Sequence, residues 1–230
     1  MKQIFVILFF SLFGLTSLAQ TGGTIMDQID PNFLNKDLLY EKGTYSSFDG
    51  DPYLFEEITE ACLVLSDGKE ICDVKINYDS FENSILLQEK DQEDLNYINP
   101  TFVKSFTVSG FKYVKSDFKG VQHNGYFQVL FNGSKFSLYR YKAAKLEYRD
   151  TQGNTGYSSS DKKSKYFSIS ENFVFVSEEN VWVESRLKKL FKDLEAIDYK
   201  EVKRYVRSED LDLENDSDIV NLMNYLEDYK

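Results

Sequence analysis

The segment GYFQVLFNGSKFSLYRY, residues 125–141, carries the clearest structural signal in the chain. Two runs of alternating side chains flank Asn132-Gly133, a dipeptide typical of a tight hairpin turn. A two-residue turn would pair Phe131 with Ser134. One face would then carry Phe127, Val129, Phe131, Phe136 and Leu138, and the other Tyr126, Gln128, Leu130, Ser137 and Tyr139. This pattern predicts a half-buried antiparallel sheet with a core face and a tyrosine-bearing face.

Further strand-like runs lie on both sides of this hairpin. They cover residues 58–65, 71–78, 84–88, 101–108 and 111–115 before it, and 166–169 and 173–176 after it. The last two runs flank Glu171-Asn172 and are predicted to form a final hairpin. Residues 149–165 are polar and turn-forming, which predicts a mobile loop. Aromatic residues make up 16% of the chain, a content that suits strands.

After residue 177 the apolar period changes from two to 3.6, which predicts amphipathic helices. The apolar positions form three stripes: Leu187, Leu190, Phe191 and Leu194; Tyr199, Val202, Tyr205 and Val206; and Ile219, Leu222, Met223 and Leu226. Asn215, Asp216 and Ser217 provide helix-capping side chains before the last stripe. We therefore expect about three short helices at the end of the chain.

These patterns together predict an α+β fold. An antiparallel β-rich body, expected to be a strongly curved sheet, a sandwich or barrel-like, precedes a C-terminal set of about three short α-helices. The expected organisation is a signal peptide at 1–19, a turn-rich segment with a short helix at 20–47, the β domain at 48–178 and a helical subdomain packed on it at 179–230.

The first residues have the pattern of a secretory signal peptide. Lys2 provides a positive start, residues 4–15 are almost entirely apolar, and Ser17 and Ala19 match an A-x-A-like cleavage site. The apolar run is shorter than the roughly 20 residues that a membrane-spanning helix needs. We therefore expect cleavage between Ala19 and Gln20 and export to the periplasm or the cell exterior. No later segment approaches spanning length, so no transmembrane span is predicted.

The two cysteines flank Asp67-Gly68, a second hairpin signal. A three-residue loop with a left-handed Gly68 would place Cys62 opposite Cys72. A two-residue loop would send the cysteines to opposite faces, because side chains alternate along a strand. The apolar pattern favours the two-residue loop, since it gathers the apolar side chains of both strands on one face. The Cys62–Cys72 disulfide is therefore the less favoured of two alternatives, although export would permit it.

Charge and composition argue against several functions. The formal net charge is −11 at pH 7, and an acidic surface repels phosphate backbones, so nucleic acid is not an expected partner. His123 is the only histidine, and no serine stands in a nucleophile elbow, so we interpret His123 as an exposed loop residue. Two cysteines and one histidine cannot form a closed zinc site. No metal and no cofactor are predicted.

Tyr126, Tyr139 and Tyr141 are the candidate ligand-binding residues. Stacked tyrosines can hold a sugar ring or a partner's side chains, although tyrosine is also a common strand residue. The preferred hypothesis is a non-enzymatic binding or envelope-associated structural module with an unidentified protein or glycan partner. The alternative is a carbohydrate-active or other hydrolytic enzyme that uses two carboxylates about 5 to 10 Å apart.

The order of motifs resembles a family of uncharacterised exported proteins of Bacteroidota-type bacteria. The matching pieces are Gly50-Asp51-Pro52-Tyr53-Leu54, the Asp67-Gly68 hairpin leading to Ile76-Asn77-Tyr78-Asp79, the strand Tyr126-Phe127-Gln128-Val129-Leu130, and three terminal helices ending near Tyr225. The family more often has Asn where this chain has Asp79. The resemblance implies a secreted β-rich body with a helical tail, and it implies no activity.

Overall fold

The computed structural model describes residues 45–88, 95–150, 163–177, 180–194 and 197–229. The predicted signal peptide and almost all of the predicted N-terminal segment lie outside these residues. Among the described residues, ten strands form one antiparallel sheet and three helices follow it. The predicted α+β class, with an antiparallel sheet before C-terminal helices, is confirmed.

The strands form a single open sheet. They are β1 (Thr59–Leu65), β2 (Glu70–Asp79), β3 (Ser84–Gln88), β4 (Leu95–Ile98), β5 (Val103–Val108), β6 (Phe111–Lys115), β7 (Tyr126–Asn132), β8 (Phe136–Asp150), β9 (Lys163–Ser177) and β10 (Val181–Glu184). Their order is β10-β9-β8-β7-β6-β5-β1-β2-β3-β4, with the short strands β4 and β10 at the edges. The expected strong curvature is wrong, since the sheet is neither closed nor strongly curled.

The three helices are α1 (Leu187–Asp193), α2 (Tyr199–Ser208) and α3 (Asp216–Asp228). Asp198 and Asn215 cap α2 and α3, because their side chains accept the backbone N–H groups two residues later. The first and last predicted stripes are confirmed. All their members are buried: Leu187, Leu190, Phe191, Leu194, Ile219, Leu222, Met223 and Leu226. Within the described ranges, none of the helices has the length and apolar character needed to cross a membrane.

The sheet carries two separate hydrophobic cores. The first lies on the β1–β6 half and includes Leu63, Ile76, Tyr78, Ile85 and Phe106. The second joins β7–β9 to the helices and includes Leu130, Leu138, Phe175, Phe191 and Leu222. Full burial of one such side chain contributes about 1.5–3 kcal/mol. Among the described residues the first core contains no helix residue, and the apolar faces of the helices pack on the β7–β10 half of the sheet.

A three-residue loop joins β1 to β2, instead of the favoured two-residue loop. The Leu65 N–H donates to the Lys69 carbonyl at 2.8 Å, and Gly68 has a φ of 88°. This loop places Cys62 opposite Cys72, and a disulfide with an S–S distance of 2.05 Å joins them. The prediction that the cysteines lie on opposite faces is wrong.

A β-bulge reconciles this loop with the apolar pattern. The pairing of β1 with β2 shifts by one residue between Leu63 and Ala61. The extra residue in β2 is Asp73, whose φ of 58° is left-handed, a conformation that Asp tolerates better than most residues. Beyond the bulge, Val74 returns to the core face, whereas Cys72 stays exposed. The alternation of apolar residues in the sequence does not reveal this bulge, because one extra residue changes the face of every residue after it.

Replacing both cysteines with serine should lower the free energy of unfolding by about 2–3 kcal/mol, since the disulfide closes a short loop in the unfolded chain. Urea denaturation of Cys62→Ser/Cys72→Ser against the wild type measures this loss. The wild type with a dithiol reductant is the control and should lose the same amount. Equal midpoints for oxidised, reduced and mutant protein would contradict the expectation.

The turn of the β7–β8 hairpin lies two residues further along the chain than predicted. Phe131 pairs with Leu138 instead of Ser134, and the Gly133 N–H donates to the Phe136 carbonyl at 2.9 Å, so Ser134 and Lys135 are the central residues of the turn. The register shifts again between residues 129 and 131. Phe127 and Leu138 of the predicted core face are buried, as expected. The expectation for the other face is wrong, because its members Tyr126, Gln128 and Leu130 are buried as well.

This turn binds the carboxylate of Glu227, near the end of α3. Oε1 accepts the backbone N–H groups of Ser134 at 2.6 Å and Lys135 at 2.8 Å, together with the Ser134 hydroxyl at 2.5 Å. Oε2 accepts the Phe136 N–H at 3.3 Å. The Ser134 hydroxyl and these N–H groups lower the pKa of Glu227. Convergent N–H groups make an anion-binding turn, which here fixes the end of a helix.

We expect Glu227→Ala to reduce the free energy of unfolding by about 1–2 kcal/mol, because solvent replaces only part of these charge-assisted bonds. Asp228→Ala is the matched control, since it removes the neighbouring carboxylate and should change stability by less than about 0.5 kcal/mol. Chemical denaturation of both variants gives the comparison. Equal losses would show that charge alone, and not the turn, is responsible.

Strand β9 is one continuous strand of 15 residues rather than the predicted hairpin around Glu171-Asn172. It pairs with β8 along its whole length, and Asn172 lies opposite Tyr141 in the ladder. The long partner strand keeps the turn-forming residues extended. The predicted loop at 149–165 is also too long, because β8 and β9 include both of its ends; residues 151–162 lie outside the described residues.

Candidate functional site

The three candidate tyrosines do not form one exposed surface. Tyr126 is 2% exposed, and its hydroxyl donates to the Val103 carbonyl at 2.9 Å. Tyr139 and Tyr141 are half-buried on β8. Tyr139 contacts the ring of Phe118, with ring centroids 4.8 Å apart. The expectation that Tyr126 is exposed is wrong, since β7 turns this residue toward the first core.

Two of these tyrosines, Tyr126 and Tyr141, contribute to the lining of one cavity of about 290 Å³. Its aromatic lining also includes Phe55, Phe111 and Tyr113. Burial raises the pKa of Tyr113 to about 12, so its hydroxyl stays protonated at neutral pH. A concave site with aromatic lining and a few polar groups is the usual form of a small-molecule site.

Arg140 of β8 supplies the main polar group of this cavity. Its Nη2 donates to Asp216 Oδ2 at 2.7 Å, and both Nε and Nη2 donate to Gln128 Oε1 at 3.1 and 2.8 Å. Glu171 lies 3.8 Å from Nε. The Arg140 side chain is only 18% exposed. In the part of the chain that the structure describes, its Nη1 has no hydrogen-bond partner, which leaves donors for a ligand.

Lys142 is the second cation of the cavity lining. It lies two residues after Arg140 on β8 and is half-buried. It has no ion-pair partner within the described ranges. Asp216 is the one carboxylate among the described lining residues and already pairs with Arg140, so these residues carry one positive charge in excess, which Glu171 offsets in part from outside the lining. This excess favours a ligand with an anionic group.

A second cavity, of about 580 Å³, shares Arg140 with the first. Three carboxylates contribute to its lining: Glu171, Asp212 and Glu214. Arg186 and Lys188 stand among them. Opposite charges interleaved in this way are typical of a solvated ion-pair network.

His123 lies in a loop before β7, as predicted, but it is half-buried, so the expectation that it is exposed is wrong. Its ring stacks on Tyr141, with centroids 4.3 Å apart, and meets the edge of Phe127 at 5.1 Å. Its Nε2 is buried without a hydrogen-bond partner among the described residues. Gly125 permits this packing, because a Cβ there would stand 2.6 Å from His123 Nε2. Burial lowers the pKa of His123.

This burial predicts a loss of stability on mild acidification. The folded state holds the His123 proton less tightly than the unfolded state, whose pKa is about 6.5. The unfolded state therefore gains protons first, and the free energy of unfolding falls as the pH drops through about 6.5. Because His123 is the only histidine, His123→Gln should flatten the dependence between pH 7 and 5.5. Urea denaturation across that range tests this, and identical slopes would contradict it.

Asp79 is a fully buried carboxylate. Its Oδ2 accepts the Tyr45 hydroxyl at 2.7 Å, and its Oδ1 accepts the N–H groups of Phe81 and Glu82 at 3.0 and 2.9 Å. Burial, together with this hydrogen bond and charge, raises the pKa of Tyr45. Because Tyr45 precedes β1 and Asp79 ends β2, the hydrogen bond between them holds the segment before β1 against the sheet.

Among the described residues, one group has metal-ligand geometry: Cys62, Cys72 and Glu70 offer ligand atoms within 4.8 Å of one another. Both sulfur atoms are consumed by the disulfide. Metal binding by cysteine requires thiolates, so the oxidised protein does not offer this ligand set.

The sequence interpretation missed Arg140, Gln128 and Asp216 as one constellation. A charged residue between Tyr139 and Tyr141 in a strand was a visible signal, because such positions require a partner when they are buried. The partner, Asp216, lies 76 residues away and was assigned only to helix capping. Nothing in the local sequence connects the two residues.

No family model matches the chain, and neither the curated proteins nor the solved structures include a significant match.

Proposed function

We propose that this chain is a non-enzymatic binding module of an exported protein, and that the 290 Å³ cavity beside Arg140 is its ligand site. The ligand is a small molecule or terminal group that combines a negative charge with a flat or apolar body. The charge would meet Arg140 and Lys142, and the body would lie against the aromatic lining.

One observation carries this proposal: the described lining of the cavity places the oriented Arg140 guanidinium and Lys142, which has no ion-pair partner there, next to aromatic side chains. Arg140 is oriented by Gln128 and Asp216, so its position is set before a ligand arrives. A preorganised guanidinium loses little freedom when it binds a carboxylate, and this favours affinity. Lys142 adds a second, flexible charge at the same cavity.

The alternative, a hydrolase with two carboxylates, has one observation in its favour, the three acids of the 580 Å³ cavity. Arg140, Arg186 and Lys188 contribute to the same lining. A glycosidase-type general acid needs an apolar setting that keeps it protonated, whereas cationic neighbours favour the ionised form. The mixed charges of this cavity therefore support charge-mediated binding over acid catalysis.

Lys142→Gln should weaken ligand binding about five- to tenfold, because it removes one partly shielded charge from the cavity. The probes are benzoate, phenylacetate, hexanoate and galacturonate. They share a carboxylate and differ in the attached group, which is aromatic in the first two, aliphatic in hexanoate and a sugar ring in galacturonate. Isothermal titration calorimetry and thermal shift measure binding to each. Lys142 is chosen over Arg140 because Arg140 also anchors α3, and its loss would change folding and binding together.

Lys145→Gln is the matched control. It removes the same charge from the same strand, but Lys145 is exposed and does not contribute to the cavity lining. Wild type and Lys145→Gln should bind alike. If none of the probes binds the wild type, or if both variants bind equally well, this cavity is not the ligand site.

A further inference from the structure

Helix α2 carries a second charged feature, independent of the cavity. Lys200, Lys203, Arg204 and Arg207 follow one another at i, i+3, i+4 and i+7, the spacing that places side chains on one face of a helix. All four are exposed. With Ser208 they form a shallow groove of about 550 Å³. We call these four residues the basic stripe.

The packing of α2 fixes the basic stripe toward solvent. Val202, on the opposite face, is buried in the second core. Tyr205 stacks on Tyr225 of α3 with ring centroids 3.8 Å apart and planes within 5°. Rotating α2 about its axis would break both contacts. The stripe is therefore a permanent surface of the folded protein.

Most of the stripe's charge is unpaired within the described residues. Arg204 pairs with Glu201 one turn earlier, and the Lys203 ammonium lies 5.9 Å from the centroid of the Tyr199 ring. Lys200 and Arg207 have no ion-pair partner there. Such a concentration of positive charge is unusual in a chain of net charge −11, where solubility does not require it.

We propose that the basic stripe binds a linear acidic polysaccharide, with uronate or sulfate groups lying along α2. The stripe spans eight helical residues, 200–207, or about 10 Å at the usual rise, which is long enough to meet successive charged sugar units. The shallow groove suits a thin chain that lies on the surface. This site is separate from the Arg140 cavity, so it does not depend on the function proposed for that cavity.

A thin polymer fits the charge distribution better than a broad anionic surface does. Electrostatic forces act over about 8–10 Å at physiological salt. A broad anionic bilayer is opposed by the net charge of −11 of the chain, whereas a single polymer chain can lie along the stripe alone. Single-stranded nucleic acid is also a thin polyanion, but its binding sites present aromatic side chains for base stacking. The residues that form this groove include no aromatic side chain.

The test compares the full chain with a variant of the stripe, Lys200→Gln/Lys203→Gln/Arg207→Gln. Titration calorimetry with heparin and with polygalacturonate, at low and physiological salt, measures the affinity. We expect wild-type binding that weakens with salt and a loss of about tenfold or more in the variant, as removal of three exposed charges implies. The single variant Arg207→Gln should lose about threefold.

The matched control is Lys104→Gln/Lys112→Gln/Lys145→Gln, which removes three exposed charges from the sheet. It should bind like the wild type, and an equal loss in the control would overturn the proposal in favour of general charge attraction. Absence of binding to both polymers would also overturn it. So would preferential binding to phosphatidylglycerol vesicles or to single-stranded DNA, or salt-sensitive self-association that the stripe variant abolishes.

Discussion

Helix α3 is fixed to the β7–β8 hairpin by a carboxylate at each end, and the arrangement of the helical half depends on this double attachment. At its first residue, Asp216 pairs with Arg140 of β8 at 2.7 Å. Near its last residue, Glu227 binds the N–H groups of the hairpin turn. Partly exposed ion pairs contribute little free energy by themselves. They fix direction and register, while the buried apolar face of α3 supplies most of the stabilisation.

Both proposed binding surfaces follow from this attachment. Asp216 orients the Arg140 guanidinium at the cavity, and α3 presents Tyr225 to Tyr205, which sets the rotation of α2. The other half of the sheet is organised separately. It has its own core, the cross-strand disulfide and the buried carboxylate of Asp79, which accepts the Tyr45 hydroxyl. Among the described residues, one half of the sheet is thus stabilised by packing against the helices, and the other half by its own core, the disulfide and the hydrogen bonds of Asp79.

The helix stripes and most strand positions were predictable because they depend on local periodicity. The errors occurred where one residue changes the register. Asp73 forms a bulge in β2, and the pairing of β7 with β8 shifts by one residue between Val129 and Phe131. Periodicity cannot locate a bulge, because one extra residue inverts every later assignment of a strand. The final hairpin was wrongly predicted for a related reason, since pairing with β8 overrides the turn preference of Glu171-Asn172.

The amino-acid sequence by itself determined the class of fold, the buried faces of α1 and α3 and the acidic charge of the chain. Net charge is a sum over all residues, and the strands and the buried helix faces follow from the spacing of apolar residues along the chain. Only the tertiary structure decided that Cys62 bonds to Cys72, that Tyr126 is buried and that Arg140 meets Asp216. Each of these depends on strand register or on the docking of a distant helix. Side chains far apart in the chain come into contact only after the sheet has set their positions. Local sequence patterns do not indicate which distant residues will be close in space.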